Sequence, residues 1–237
     1  MERAIELDLI PTDVGNDKGK RWPILDQGRG VAILLMIFYH GVYDLVALKV
    51  FPRNLIEHPF FYFLPRVIVF LFYFISGISH FLLFQSAAPD LKWRTHWWQL
   101  SAAALLISLG SYFFAPQSWI YFGTLHALAL GSLLLFLLRR LAPSVCLGLS
   151  FLFFLAQYLP SWQPSPSLDY IPPFPWLGLM LFSYALMGLK ETYLKNLLQY
   201  KAPFPFLNPL GQHSLAIYLL HQLVLWPLCV FLTGHHF

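Results

Sequence analysis

The hydrophobic pattern of this chain consists of long apolar runs separated by short polar connections. Windows of about 20 residues, the length that an α-helix needs to cross a bilayer, pick out seven such runs. Because they tile the chain, the pattern predicts an all-α integral membrane protein, a polytopic helical bundle of about seven transmembrane helices. The approximate bounds of the runs are 26–47, 64–86, 96–115, 119–138, 143–159, 174–190 and 210–232.

Composition supports a membrane protein. Hydrophobic residues make up 58% of the chain and charged residues only 11%, whereas soluble chains carry about 25% charged residues. The first 21 residues form a polar segment without the apolar core of a signal peptide. We therefore predict a cytoplasmic tail over 1–21 and a single transmembrane domain over 22–237.

The distribution of Lys and Arg predicts the orientation. Cytoplasmic connections of membrane proteins carry the excess of these residues, which predicts an N-in, C-out topology. The net charge of +4 follows from this bias. We therefore expect membrane lipids as partners and no nucleic acid. The richer side has eleven cations, Arg3, Lys18, Lys20, Arg21, Lys92, Arg94, Arg139, Arg140, Lys190, Lys195 and Lys201, and the poorer side has Lys49, Arg53 and Arg66.

The first apolar run contains Arg29, His40 and Asp44, which are ionisable. Such groups are costly inside a membrane and usually have a role there. Arg29 and His40 are eleven residues apart, about three helical turns or 16 Å, and Asp44 shares their face. We predict that Asp44 orients the His40 imidazole, as the acid of a Ser-His-Asp triad does. The other ring nitrogen of His40 then takes a proton from a hydroxyl or an amine.

Two more histidines are predicted to join this catalytic group. His126 and His221 fall in the outer third and the middle of their predicted helices, at depths that allow convergence with His40 and Asp44. At the cytoplasmic end, Arg29 is predicted to bind donor phosphates. Arg139 and Arg140 are predicted to share that role. The sequence contains no spacing typical of a metal site, and its two cysteines lie at opposite ends of the predicted bundle.

Several motifs in order resemble those of a known superfamily. The chain is similar to transmembrane acyltransferases, and among these to bacterial relatives of the catalytic domain of heparan-alpha-glucosaminide N-acetyltransferase. The resemblance runs from about residue 22 to 232. It rests on Asp-x-x-Arg-Gly at 26–30, Phe-Ile-Ser-Gly-Ile-Ser at 74–79, Phe-Gly-Thr-Leu-His at 122–126, Pro-Trp-Leu-Gly-Leu at 175–179 and Leu-Gly-Gln-His-Ser-Leu at 210–215.

This resemblance implies a reaction and two groups of substrates. The donor would be acetyl-CoA or another acyl-CoA, and the acceptor a hydroxyl or amine of an envelope glycan or lipid. The spacing of Arg29 and His40 also resembles the Arg-x10-His motif of the acyltransferase-3 family, which gives both residues the same roles. The heparan enzyme has an Asn where His40 stands and its proposed catalytic His in the following loop, so His58 is a second candidate base.

Other functions remain open from the sequence. A transporter or proton relay would use the same histidines and would show flux without consuming acyl-CoA. A haem protein would use His126 and His221 as axial ligands. No G-x-S-x-G nucleophile motif is present, so an acyltransferase of this kind is predicted to transfer directly from thioester to acceptor. The sequence leaves the oligomeric state open, a homodimer included.

Overall fold

The computed structural model describes residues 21–159, 166–200 and 203–234, and within these ranges the chain is helical without a β-strand. The predicted tail over 1–21 lies outside the described residues except for Arg21. The helices are α1 (Pro23–Ala47), α2 (Asn54–Glu57), α3 (Pro59–Phe84), α4 (Pro89–Phe114), α5 (Thr124–Leu138), α6 (Pro143–Ala156), α7 (Pro173–Leu189), α8 (Glu191–Gln199), a 3₁₀ turn (Pro205–Leu207), α9 (Asn208–Gln212) and α10 (Ser214–Thr233).

The predicted all-helical architecture is confirmed. Each of the seven apolar runs overlaps one helix, except that the last run covers the pair α9 and α10. Helices α1, α3 and α10 are long and apolar enough to cross a membrane, whereas α5, α6 and α7 are apolar but shorter. The number of crossings and the N-in orientation remain predictions.

Helices α3, α4 and α5 begin at least five residues away from the start of the predicted run, and for α4 and α5 the cause is local. Helix α4 begins before the predicted run, because Pro89 and Asp90 in its first turn are residues that favour a helix N-terminus. Helix α5 begins five residues later than predicted. The backbone before it is held by the side chains of α4 instead: Ser108 Oγ donates to the Ile120 carbonyl at 2.7 Å, and Ser111 Oγ accepts from the Ile120 N–H at 2.9 Å.

The sequence pattern missed one helix and one break. Helix α8 is an amphipathic surface helix, too polar to stand out in a search for membrane spans, with an ion pair between Glu191 and Lys195 at 2.9 Å. The last apolar run is interrupted at His213, which lies between α9 and α10 and is exposed. The break lets α9 pack against the start of α1.

Glycines allow two close contacts around the core. At Gly211 a Cβ atom would collide with the Asp26 carbonyl, so the missing side chain lets α9 touch α1. At Gly77 a Cβ would collide with the Met180 carbonyl and Ser183 Oγ, so α3 and α7 meet directly. Helix α3 therefore lies at the centre of the bundle. The largest fully buried side chains of the core include Tyr73, Ile33, Met36, Leu135, Met180, Leu181 and Met187.

We predict that Gly77→Ala destabilises the protein because its methyl group has no room between α3 and α7. Overpacking of this kind costs about 1–3 kcal/mol. Gly110→Ala is the matched control, since Gly110 is also within a helix but a Cβ there meets open space. Thermal unfolding in detergent should show a lower Tm for Gly77→Ala and an unchanged or higher Tm for Gly110→Ala. Equal Tm values would contradict the close packing.

Candidate active site

A cavity of about 900 Å³ lies between the first half of α1, the second half of α3, the start of α4 and the α9–α10 region. We call it the basic cavity, because four cations contribute to its wall. Apolar side chains from five helices form most of the remaining surface. The cations are Arg21, Arg29, Lys92 and Lys195, and the apolar residues include Leu25, Phe72, Leu100, Leu125, Leu128 and Leu215.

Arg29 is a partly buried cation that is anchored by two side chains. One terminal nitrogen donates to Asp26 Oδ1 at 2.9 Å and the other donates to Ser79 Oγ at 2.6 Å. Ser79 gives its own proton to the Ile75 carbonyl, so its oxygen is free to accept from Arg29. The Arg29 side chain is 28% exposed. Because a guanidinium has five N–H donors, it can bind these partners and still donate to an anionic ligand in the cavity.

Two histidines also line the basic cavity. The His80 ring is fixed: Nδ1 donates to the Ser76 carbonyl at 2.8 Å and Nε2 accepts from Ser132 Oγ at 2.8 Å. His80 is only 2% exposed, and we interpret it as a structural residue. The ring of His96 lies 5.7 Å from that of His80. Sequence reasoning did not select His96, because a polar residue at the start of a predicted span is ordinary.

The structure brings His40 and His221 together outside the lining of the basic cavity. Their ring centroids are 4.7 Å apart in an edge-on arrangement. His40 Nδ1 lies 2.9 Å from the Met36 carbonyl, and His221 Nδ1 lies 2.7 Å from the Tyr218 carbonyl. A carbonyl only accepts, so each Nδ1 carries the proton and each neutral ring has a lone pair on Nε2. We call these two residues the histidine pair.

Asp44 has a different partner from the one expected. Both of its carboxylate oxygens accept from Gln222 Nε2, at 2.8 and 2.9 Å, and the residue is 2% exposed. In the described part of the chain no hydrogen bond or ion pair joins it to His40. The orienting role predicted for Asp44 is therefore filled by the Met36 carbonyl. Helical side chains lean toward the preceding turn, which brings the His40 ring to Met36, while Asp44 faces α10.

His126 lies apart from the histidine pair. Ser108 donates its single hydroxyl proton to Ile120, so Ser108 Oγ must accept from His126 Nε2 at 3.0 Å. His126 Nδ1 then accepts the Gly123 N–H at 3.1 Å and caps α5. Among the described residues, neither a hydrogen bond nor a ring contact joins His126 to His40 or His221. Because both nitrogens are occupied, the ring has no free lone pair for a proton or a haem iron.

The other predicted donor contacts also lie elsewhere. Arg139 donates to Asp90 and stacks over the Phe136 ring, 4.2 Å from its centroid. The hydrogen bond from Arg139 lowers the pKa of the Asp90 carboxyl. Arg140 is exposed, and neither arginine lines the basic cavity. Charge alone did not distinguish these two from Arg21, Lys92 and Lys195, which do line it.

Within residues 21–159, 166–200 and 203–234, no group of three or more His, Cys, Asp or Glu side chains is placed to hold a metal ion.

Similarity to a known family identifies the lineage of the chain. The family model for the catalytic domain of heparan-alpha-glucosaminide N-acetyltransferase matches residues 21–223. The chain belongs to this family. The match includes every residue that lines the basic cavity and both members of the histidine pair. No curated protein and no solved structure matches the chain. The family assignment shows a membrane N-acetyltransferase lineage and confirms the resemblance deduced from the motifs.

We predict that His126→Ala lowers stability more than His40→Ala does. Removing His126 leaves the Gly123 N–H without its partner at the start of α5, and an unsatisfied buried donor costs about 1–3 kcal/mol. His40 bonds only a carbonyl that lies within its own helix. Thermal unfolding of both variants in detergent tests this difference. If His40→Ala has the lower Tm, the structural role of His126 is wrong.

Proposed function

We propose that the protein is a membrane acyltransferase with acyl-CoA, first of all acetyl-CoA, as donor. It transfers the acyl group to a hydroxyl or amine of an envelope glycan or lipid across a bacterial inner membrane. The observation that carries this proposal is the basic cavity, in which an anchored Arg29 faces a large space with apolar walls. Membership of an N-acetyltransferase family supports acetyl as the transferred group.

The wall of the basic cavity suits the two parts of the donor. The phosphates of a CoA thioester need charge-assisted hydrogen bonds, which arginine donates in a fixed planar geometry. Arg29 is held by Asp26 and Ser79, so little side-chain entropy is lost when it binds a phosphate. Arg21, Lys92 and Lys195 add positive charge to the wall. The apolar surface beyond them is suited to the uncharged arm that ends in the thioester.

The histidine pair supplies the base. The acceptor oxygen or nitrogen attacks the thioester carbonyl, while the Nε2 lone pair of His40 takes its proton. The carbon–sulfur bond then breaks, and the CoA thiolate leaves and receives the proton. His221 Nε2 is buried without a hydrogen-bond partner among the described residues, so it is available to bind the acceptor next to His40. No covalent enzyme intermediate is needed.

A proton relay or transporter is the second candidate. The same unpartnered His221 Nε2 favours it, because a relay needs a histidine that can receive a proton from its neighbour. Purified protein in sealed vesicles distinguishes the two functions. The relay moves protons without any acyl-CoA present, whereas the transferase consumes acyl-CoA and releases free CoA.

Arg29→Ala should weaken acetyl-CoA binding, because a charge-assisted phosphate contact is lost. We expect a loss of about 1.5–3 kcal/mol, or roughly ten- to a hundredfold in Kd. Arg139→Ala is the control, since Arg139 is paired with Asp90 away from the basic cavity. Titration calorimetry in detergent should show weaker binding for Arg29→Ala only. If both variants bind like wild type, Arg29 is not a donor contact.

His40→Ala should abolish transfer while acetyl-CoA binding is retained. Removing a general base typically reduces the rate by about 10²–10⁴. His58→Ala is the comparison, because His58 caps α3 by accepting from the Phe60 N–H at 3.2 Å and is exposed. Turnover measured by release of free CoA in the presence of envelope extract should fall only for His40→Ala. If only His58→Ala loses turnover, His58 and not His40 is the general base.

A further inference from the structure

Tyr218 lies between the basic cavity and the histidine pair. It lines the cavity, and its ring centroid is 5.7 Å from that of His221, which in turn lies 4.7 Å from His40. Phe72 packs edge-on against the Tyr218 ring, with 6.3 Å between the ring centroids. Neither member of the histidine pair lines the cavity. Tyr218 is therefore in contact with both the basic cavity and the histidine pair.

The phenol of Tyr218 is held in place from the opposite side. Its hydroxyl donates to Asp169 Oδ2 at 3.1 Å. The same carboxylate accepts the Thr124 N–H at 3.1 Å, at the start of α5, and the Thr124 hydroxyl at 3.4 Å. An anion at a helix N-terminus is stabilised by the free N–H groups there. Asp169 is thus a fixed acceptor that sets the position of the Tyr218 ring.

The segment that carries Asp169 is itself attached to the bundle. The Leu168 N–H donates to the Ser118 carbonyl at 2.8 Å, and the Ile171 N–H donates to the Phe122 carbonyl at 3.2 Å. A Cβ at Gly123 would come within 2.6 Å of Asp169 Oδ2, so glycine there is needed for the carboxylate to approach α5. These contacts fix Asp169 next to the start of α5.

We propose that Tyr218, held by Asp169, is a barrier that keeps the thioester of bound acyl-CoA away from the histidine pair. This inference rests on the proposed transferase function. A thioester beside a histidine base and water is open to hydrolysis. The water oxygen attacks the carbonyl, its proton passes through His40 Nε2 to the departing thiolate, and the products are a carboxylic acid and free CoA. The barrier prevents this loss of donor.

Transfer to the intended acceptor then requires the Tyr218 ring to move. The hydroxyl of Tyr218 gives its proton to Asp169, so toward other groups its oxygen can only accept. An acceptor hydroxyl or amine that donates to Asp169 in place of Tyr218 would break the contact that holds the ring. Asp169 is accordingly a positioning residue, and Tyr218 is the residue that separates donor from base.

The experiment measures release of free CoA from acetyl-CoA without any acceptor, using a thiol reagent on purified protein in detergent. Wild type should hydrolyse slowly. Tyr218→Ala should hydrolyse faster by up to roughly 10²-fold, the lower end of what a general base contributes once it reaches the substrate. Adding His40→Ala to Tyr218→Ala should remove the increase. Calorimetry with acetyl-CoA accompanies each variant, so that binding and hydrolysis are separated.

Two milder variants keep the test decisive if Tyr218→Ala does not fold. Tyr218→Phe and Asp169→Ala both keep an aromatic ring at 218 but lose the hydrogen bond that holds it. Each should raise hydrolysis in the same direction by a smaller factor. Both substitutions remove the same contact. A protein that carries Tyr218→Phe and Asp169→Ala together should therefore hydrolyse acetyl-CoA no faster than the faster of the two single variants.

The outcomes separate the two proposals. Absence of acetyl-CoA binding to wild type would overturn the proposed function. Normal acetyl-CoA binding together with wild-type hydrolysis in Tyr218→Ala, or in both milder variants, would overturn the barrier alone. A raised hydrolysis that persists after His40→Ala would also overturn it, because the water would then not be activated by the histidine pair.

Discussion

The pairing of one guanidinium organises this protein. Arg29 lies near the start of an apolar helix, where an unpaired charge is costly, and it is anchored by Asp26 on its own helix and by Ser79 on α3. The backbone of the same Asp26 touches α9 at Gly211, where a side chain would not fit. The Arg29 pairing thus ties together three elements that surround the basic cavity. It leaves a cation in the cavity wall whose geometry is set before any ligand binds.

Helix α10 contributes residues to each part of the site. Leu215 and Tyr218 face the basic cavity, His221 belongs to the histidine pair, and Gln222 holds the buried Asp44. Successive turns of one helix therefore carry part of the proposed donor surface, the proposed barrier and the neighbour of the proposed base His40. In the proposed function, this arrangement keeps an anionic donor and a histidine base close together without placing them in one open space.

The apolar runs predicted the helices, and the spacing of Arg29 and His40 placed both on one face of α1. The structure places Arg29 in the wall of a cavity and brings His40 next to His221, one of the residues with which it was predicted to converge. The pattern did not predict that Asp44 pairs with Gln222, or that Arg139 pairs with Asp90. Such partners depend on how helices rotate about their axes, and periodicity within one helix carries no information about its neighbours.

Asp169 was missed for another reason. It lies in a polar connection rich in proline, where the sequence offers no periodic signal and an aspartate is ordinary. Its role arises only because backbone contacts place that connection over the start of α5. Loop residues that bind a helix terminus are therefore the hardest part of such a site to predict from sequence.

A cryo-EM structure of the protein with acetyl-CoA would test the account most directly. The account predicts density for the CoA phosphates within hydrogen-bonding distance of Arg29. It also predicts that the thioester lies on the cavity side of the Tyr218 ring, with His40 and His221 beyond it. A basic cavity filled by lipid, or CoA bound away from Arg29, would contradict the central claim.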